Sequence, residues 1–270
     1  MRGWMAAQGQ LVVAYSGGVD SALVAALAAE QLGEGALAVT GVSPALAPHL
    51  REEAQLQARW LGIRHREIAT AELADPAYTS NPRDRCYACK RELHGRLAPL
   101  AEALVAAGGS VLVVDGVNLD DLGDHRPGIL AAQERGVRSP LADFGLDKAA
   151  VRTISRALGF PWWDKPAQPC LASRFPYGEP IDATRLRRVA AAEDWLRSQA
   201  VRALRVRSQG ETARIEVGEG QMEEVLLKLA AGDTWRHGLV QAFLDLGFTA
   251  VSLDLEGLVS GKLNREGPIL

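Results

Sequence analysis

Residues 11–25 read Leu-Val-Val-Ala-Tyr-Ser-Gly-Gly-Val-Asp-Ser-Ala-Leu-Val-Ala, and this stretch decides the fold. Leu11 to Tyr15 is short, apolar and partly β-branched, as in a buried strand. Ala22 to Leu32 combines strong helix formers with apolar residues at helical spacing. Between them, Gly17 and Gly18 permit backbone angles and close approaches that a Cβ forbids. Such a turn aims its amides and a helix N-terminus outward, and both attract anions. Ser16 and Ser21 add hydroxyl donors, and Asp20 stands where a carboxylate caps a helix or orients a metal. The stretch is either a phosphate cradle or a tight strand-to-helix turn. It is not the common P-loop, because no lysine follows the glycines, and G-x-G-x-x-G is absent here.

Working outward, strands and helices alternate. Strands are expected over Ala36–Val42, Arg64–Ile68 and Val111–Val114. Helices are expected over Pro48–Leu61, Cys86–Ala107, with a break or kink at Pro99, and Lys148–Leu158, stopped by Gly159. This alternation predicts an α/β fold, a doubly wound parallel sheet with helices on both faces. Ligands of such sheets sit at the carboxyl ends of strands, where Ser16-Gly17-Gly18 and Asp115-Gly116 both fall. Pro161, Pro166, Pro169, Pro176 and Pro180 then mark an irregular boundary. Two domains are expected, residues 1–168 and a smaller α+β domain over 169–270. The second carries helices over Ala183–Ser198, Met222–Ala231 and Trp235–Leu246. Its strands are Ala203–Arg207 and Ala213–Val217 around Gly210, then Ala250–Leu255.

The formal net charge of −3 argues against a generally nucleic-acid-binding surface. No run reaches the ~18 apolar residues of a membrane span. Met1-Arg2-Gly3-Trp4 opens no apolar leader before the first strand, so a cytoplasmic protein off the membrane is expected. Three cysteines are too few for a disulfide scaffold and suit thiol or metal chemistry in a reducing compartment.

Three further constellations carry chemistry. Asp115-Gly116-Val117-Asn118-Leu119-Asp120-Asp121, followed by Asp124, Arg126 and Gly128, clusters carboxylates just past a buried strand. Such a cluster holds hydrated magnesium beside ATP phosphates, or else forms a polar loop of Asx turns and a helix cap; Asp120 is the nucleotide-site candidate. Cys86 and Cys89 form a C-x-x-C, and Cys170 lies in the proline-rich stretch. Three thiolates suit a 4Fe-4S cluster with one open iron. A zinc site needs a fourth ligand, for which His94 is a candidate; a redox pair and inert burial are the other readings. Arginines concentrate between Ala183 and Arg214. Arg205 and Arg207 alternate along a strand, share a face, and suit a phosphate or carboxylate. Arg187, Arg188 and Arg197 read as a solvated helix face.

The Ser16–Ser21 pattern after a strand resembles the PP-loop of the ATP pyrophosphatases (adenine nucleotide alpha hydrolase-like), which cleave ATP to AMP and pyrophosphate. RCYACK, DGVNLDDLGDHRPG, GVRSPLADFGLDK, KPAQPCLASRFPYG, AEDWLR and RVRSQGETARIEV, in this order, resemble the LarE-type ATP-dependent sacrificial sulfur transferases. That resemblance spans nearly the whole chain. It implies adenylation of the carboxylates of pyridinium-3,5-biscarboxylic acid mononucleotide and their conversion to thiocarboxylates, in nickel-pincer nucleotide cofactor biosynthesis.

By the same resemblance, Ser16, Gly17, Gly18, Asp20 and Ser21 bind ATP with Mg2+. Cys170 is the essential cysteine, Ser173 and Arg174 lie near the reacting centre, and Arg205 and Arg207 hold the substrate phosphate. Glu193 matches an acid that binds metal in the assembled oligomer. One branch of the family spends the sulfur of a lone cysteine in a single turnover. The other binds a 4Fe-4S cluster through three cysteines, and Cys86, Cys89 and Cys170 place this chain there. Its partners are then a phosphate-bearing nucleotide-like molecule, sulfide or another sulfur donor, and copies of itself in a hexamer. Residues Gly257 to Asn264 resemble the family's closing loop with altered charge, which touches only subunit contacts. The competing readings are a 4Fe-4S-dependent tRNA thiolation enzyme, an amidating synthetase, and a nucleotide sensor without catalysis. The first conflicts with the acidic balance, and the other two leave the cysteines without a task.

Overall fold

The structure, a computed structural model, describes residues 1–106, 109–124, 126–259 and 261–265, without the side chains of residues 263 and 264. Ala107, His125 and Ser260, which the sequence motifs and elements above include, lie outside the described residues. The chain forms two compact units. One is Met1–Tyr78 with Asp84–Pro169, and the other is Thr79–Arg83 with the chain from Cys170 onward.

Through Pro169 the elements are α1 (Arg2–Ala6), β1 (Gln10–Ala14), α2 (Val19–Leu32), β2 (Ala36–Val42), α3 (Pro48–Trp60), β3 (Arg64–Ala69), α4 (Pro76–Thr79), α5 (Arg85–Ala106), β4 (Val111–Val114), α6 (Pro127–Gln133), α7 (Pro140–Asp143) and α8 (Lys148–Ala157). The four strands are parallel, in the order β3-β2-β1-β4. Both faces of β1 are covered. Leu11 and Val13 join a large apolar cluster with Leu23, Leu27, Ala54 and Val151. Val12 and Ala14 face a smaller one with Val39 and Leu97. The period-2 alternation of a strand thus feeds two cores. The chain runs from β1 to β2 and β3 on one side, then returns to β4 on the other. Such a reversal opens a crevice outside the carboxyl ends of β1 and β4. This architecture is consistent with an adenine nucleotide α-hydrolase fold.

The expected break at Pro99 does not divide the helix, because α5 continues to Ala106. Pro99 is exposed, so water can take the carbonyl its missing N–H leaves over. Gly159 follows the end of α8 at φ +78°, the left-handed stop expected from the sequence.

The second unit contains α9 (Ala183–Ser198), β5 (Leu204–Gln209), β6 (Thr212–Val217), α10 (Glu219–Ala230), α11 (Asp233–Asp245) and β7 (Ala250–Leu253). β5 and β6 form an antiparallel hairpin turned at Gly210, φ +56°, and β7 adds in parallel to β6. Asp182 caps α9 by accepting the Arg185 amide at 2.8 Å. The short segment from Thr79 is tied in by Ile181 N donating to Thr79 O at 2.8 Å and Asn81 Nδ2 donating to Pro176 O at 2.7 Å.

Candidate functional site

In the first unit the sheet hydrogen bonding of β1 ends with the Tyr15 amide on Val39 O, 2.8 Å. Gly17 then turns at φ +70°, and a Cβ there would stand 3.0 Å from Ala54 Cβ. Conformation and packing both demand glycine. Gly18 is the extended N-cap of α2. Ser21 Oγ donates to Gly18 O at 3.1 Å, which spends its one proton. Ser16 Oγ therefore donates in its 3.1 Å contact with Ser21 Oγ. Ser21 is buried and shapes the loop from below, whereas Ser16 is exposed. The result is an amide-lined turn at the N-terminus of a 14-residue helix, an anion cradle. One support has no sequence signal. Thr40 Oγ1 donates to Tyr15 O at 2.9 Å, so His65 Nε2 carries the proton it shares with Thr40 at 2.8 Å. Burial holds His65 below its ordinary pKa.

The loop after β4 lies directly against this cradle. A Cβ on Gly116 would be 2.6 Å from the Ser21 amide nitrogen, so only glycine permits the approach. Asn118 Nδ2 donates to Asp20 Oδ1 at 3.1 Å. Burial raises the pKa of Asp20 above its ordinary value, and the Asn118 hydrogen bond opposes that rise. Burial also raises Asp115, whose Oδ1 accepts the Val117 amide at 3.1 Å.

Asp120, the nucleotide-site candidate, is placed otherwise. It is exposed, and its Oδ2 accepts the Lys148 amide at 2.9 Å, capping α8 beside Asp147, which accepts the Ala150 amide at 2.7 Å. Asp121 pairs with Arg126 at 2.8 Å and Lys148 at 3.2 Å. Asp121 is thus already paired with cations, whereas Asp120 gives one oxygen to an amide and is otherwise exposed. Gly116 and Asn118 lie in the motif that the sequence singled out, yet nothing in the sequence alone gave them a task.

The second unit's site is built on buried arginines. Arg174 closes the short turn Leu171–Arg174; its Nε and Nη2 donate to Glu193 at 2.8 and 3.1 Å, and its Nη1 donates to Ser173 Oγ at 3.0 Å. Glu193, on the inner face of α9 at 0% exposure, also accepts Arg197 Nη2 at 3.0 Å and the Val206 amide at 3.1 Å. Its two oxygens take two donors each. Burial by itself would raise Glu193, but Arg174 and the other donors outweigh it and hold the carboxyl below its ordinary pKa. A carboxylate so filled does not fit the metal role the resemblance gave it.

Arg205 and Arg207 differ although they share a strand face. Arg207, 2% exposed, donates through Nε and Nη2 to Glu216 Oε2 at 3.0 and 2.9 Å and through Nη1 to Ser173 O at 2.6 Å. Arg205 is half-buried, and among the described residues its guanidinium has no acidic partner within ion-pair distance. Burial, then the neighbouring Arg174 and Arg207 charges, push its pKa down to about 10. Arg205 is therefore the group still able to take an anion. Of the arginines expected to be solvated, only Arg187 is exposed. Arg197 closes on Glu193, and Arg188 binds Gly247 O at 3.1 Å and stacks 4.4 Å from the Phe248 ring centre.

The three cysteines are thiols, not disulfides. Cys86 and Cys89 lie one turn apart in the first turns of α5, on neighbouring positions of one face. Cys170 is exposed at the start of the Leu171–Arg174 turn of the second unit. A zinc site completed by His94 is not built. His94 is 2% exposed, two turns from the exposed Cys86, and among the described residues no three His, Cys, Asp or Glu side chains gather for a metal. Burial lowers the His94 pKa to about 4, so it is neutral.

No family model matches the chain. An uncharacterized protein of Synechocystis sp. is 54% identical over 254 residues, 94% of this chain and 91% of that protein. The pyridinium-3,5-bisthiocarboxylic acid mononucleotide synthase of Lactiplantibacillus plantarum is 34% identical over 256 residues, 94% of this chain and 89% of the synthase. An uncharacterized protein of Methanocaldococcus jannaschii is 28% identical over 247 residues, 92% of this chain and 90% of that protein. No helix among the described residues is long and apolar enough to cross a membrane.

Proposed function

The chain belongs to the LarE-like family of pyridinium-3,5-bisthiocarboxylic acid mononucleotide synthase, and from that premise we propose that it is an ATP-dependent sulfur transferase. Its substrate is pyridinium-3,5-biscarboxylic acid mononucleotide, and its product is the thiocarboxylate on the route to a nickel-pincer nucleotide. The observation that carries this reading is similarity along almost the whole length of a named synthase, in a chain whose Ser16–Ser21 turn forms an anion cradle.

In the first step a substrate carboxylate oxygen attacks the α-phosphorus of ATP, and pyrophosphate leaves with the bonding electron pair. The Gly17 amide and the α2 N-terminus hold the phosphates and stabilise the charge that develops on them, while the Gly18 amide and the Ser16 hydroxyl brace the turn from within. Magnesium enters as the counter-ion of ATP. Arg205 binds the substrate phosphate, because its charge is not already neutralised within the protein. In the second step the sulfur of hydrosulfide attacks the acyl carbon, the bond to AMP oxygen breaks, and AMP leaves as its anion. The proton of hydrosulfide passes to solvent, and the thiocarboxylate remains.

The number of thiols suits an iron–sulfur donor set with one position open, but among the described residues no three His, Cys, Asp or Glu side chains gather to hold a metal. A 4Fe-4S cluster on Cys86, Cys89 and Cys170 stays what the family resemblance implies, and neither step is routed through it. Ser173 and Arg174 fix the backbone beside Cys170, since Arg174 Nη1 also donates to Cys170 O at 3.3 Å.

The test is pyrophosphate release from Mg·ATP with and without the pyridinium mononucleotide. We expect release that depends on this substrate and is not stimulated by tRNA. Stimulation by tRNA alone would move the chain to the tRNA-thiolating enzymes.

A further inference from the structure

We propose that Asn118 is a positioning residue for the nucleotide cradle, its side-chain amide fixing the carboxylate of Asp20 and, through it, the first turn of α2. The inference rests on the reading of Ser16–Ser21 as the ATP site and assigns a task to a residue outside that loop.

Asn118 is 0% exposed and spends both ends of its amide. Nδ2 donates to Asp20 Oδ1 at 3.1 Å, while Oδ1 accepts the Asp121 amide at 3.2 Å. Its backbone N–H returns a bond to Asp121 Oδ2 at 3.4 Å. One side chain thus joins the loop after β4 to the loop after β1. The joint sits where the sheet order reverses, the place where such folds take their ligand. Gly116 lets the two backbones meet, since any Cβ there would lie 2.6 Å from the Ser21 amide nitrogen.

Only an amide does both jobs in this space. Aspartate keeps an acceptor but has no donor, and serine is too short to span the gap. The tether matters because Asp20 stands in the first turn of α2. A carboxylate there is itself an anion beside amides that bind anions. Released from Asn118, it becomes an internal competitor for the phosphate. Held, it leaves the cradle to the nucleotide.

The experiment compares wild type, Asn118→Ala, Asn118→Asp, Asp20→Asn and the double variant Asn118→Ala/Asp20→Asn. Binding of a non-hydrolysable ATP analogue is measured by calorimetry, and KM for ATP and for the pyridinium substrate by pyrophosphate release. Loss of one hydrogen bond to a charged group should weaken nucleotide binding by about tenfold or more in Asn118→Ala. KM for the pyridinium substrate should stay unchanged. Asn118→Asp keeps the Asp121 contact, and so the loop, but sets two carboxylates together; it should bind the analogue more weakly than Asn118→Ala. The double variant should bind no worse than the weaker single variant, as for two groups acting as one.

Full additivity, an equal rise in both KM values, or wild-type binding by Asn118→Asp each overturns the inference while leaving the ATP site standing. A wild-type chain that binds no ATP analogue overturns the ATP-site reading and this inference with it.

Discussion

Between β1 and α2 the turn offers backbone amides at a helix N-terminus, its two serine hydroxyls are spent within it, and the charged side chain in the first turn of α2, Asp20, is an acid. In the second unit the proposed anion site is made of guanidinium groups sunk into a small sheet. The cradle depends on shape: glycine at φ +70° at Gly17, and no side chain at Gly116. The arginine site depends on subtraction. Arg174 is cancelled by Glu193 and Arg207 by Glu216, so Arg205 is what remains. Strand register decides which arginine that is. Arg205 pairs across the hairpin with Glu216, yet Glu216 reaches diagonally to Arg207, whose direct partner in register is Arg214. A site made of shape is specified locally, whereas a site made of leftover charge is specified by everything packed around it.

The largest effect that would break this comparison is in the second unit. Glu193→Gln leaves Arg174 and Arg197 facing a neutral amide in the interior and should cost about 3–5 kcal/mol of stability in a denaturant melt. The pH dependence follows the same pair. Burial would raise the Glu193 carboxyl, but Arg174, the Val206 amide and Arg197 bring it below its ordinary 4.5. Its stabilisation is therefore complete above that ordinary value and drains away as pH falls through the lowered folded value. Glu193→Gln should lose this acid dependence. A variant as stable as wild type at pH 7 would mean that the arginines are not cancelled by Glu193.

Next in size is the cradle. Gly116→Ala forces apart the two loops at the crevice, and a misplacement of about 1 Å there should lower ATP-dependent pyrophosphate release by about a hundredfold. Near-normal release would show that the loop after β4 has no part in the site. The smallest effect separates the two arginines. Arg205→Ala should raise KM for the phosphate-bearing substrate about tenfold with no loss of thermal stability. Arg207→Ala should instead lower stability and kcat, because it frees the Ser173 carbonyl and takes both guanidinium donors from Glu216 Oε2. Equal KM effects from both would restore the shared phosphate role that the resemblance implied.

Much of the fold was legible because its signals are local. The apolar run before Ser16, the glycines after it, and the alternation out to Gly159 repeat the 2.0 and 3.6 periods of their elements. The turn at Gly17 and Gly18 was legible for the same reason. The partners of Asp120 and Glu193 were not legible because a carboxylate's donors lie far along the chain, the Lys148 amide in one case and Arg174 and Val206 in the other. Arg188 read as a surface charge because nothing near it in sequence announces Phe248. Asn118 and Gly116 stood inside a recognised motif, but their tasks appear only when two loops almost a hundred residues apart in sequence are set side by side.

The most direct test of the account is to count thiocarboxylates per chain. The protein, loaded without oxygen with iron and sulfide, is given Mg·ATP, excess sulfide and pyridinium-3,5-biscarboxylic acid mononucleotide. Product and pyrophosphate are quantified, and the intact mass of the chain is read before and after. The account predicts more than one thiocarboxylate per chain, pyrophosphate released in step, and an unchanged chain mass. A single product per chain accompanied by loss of the Cys170 sulfur would contradict the use of external sulfide, and no product at all would contradict the sulfur transfer itself.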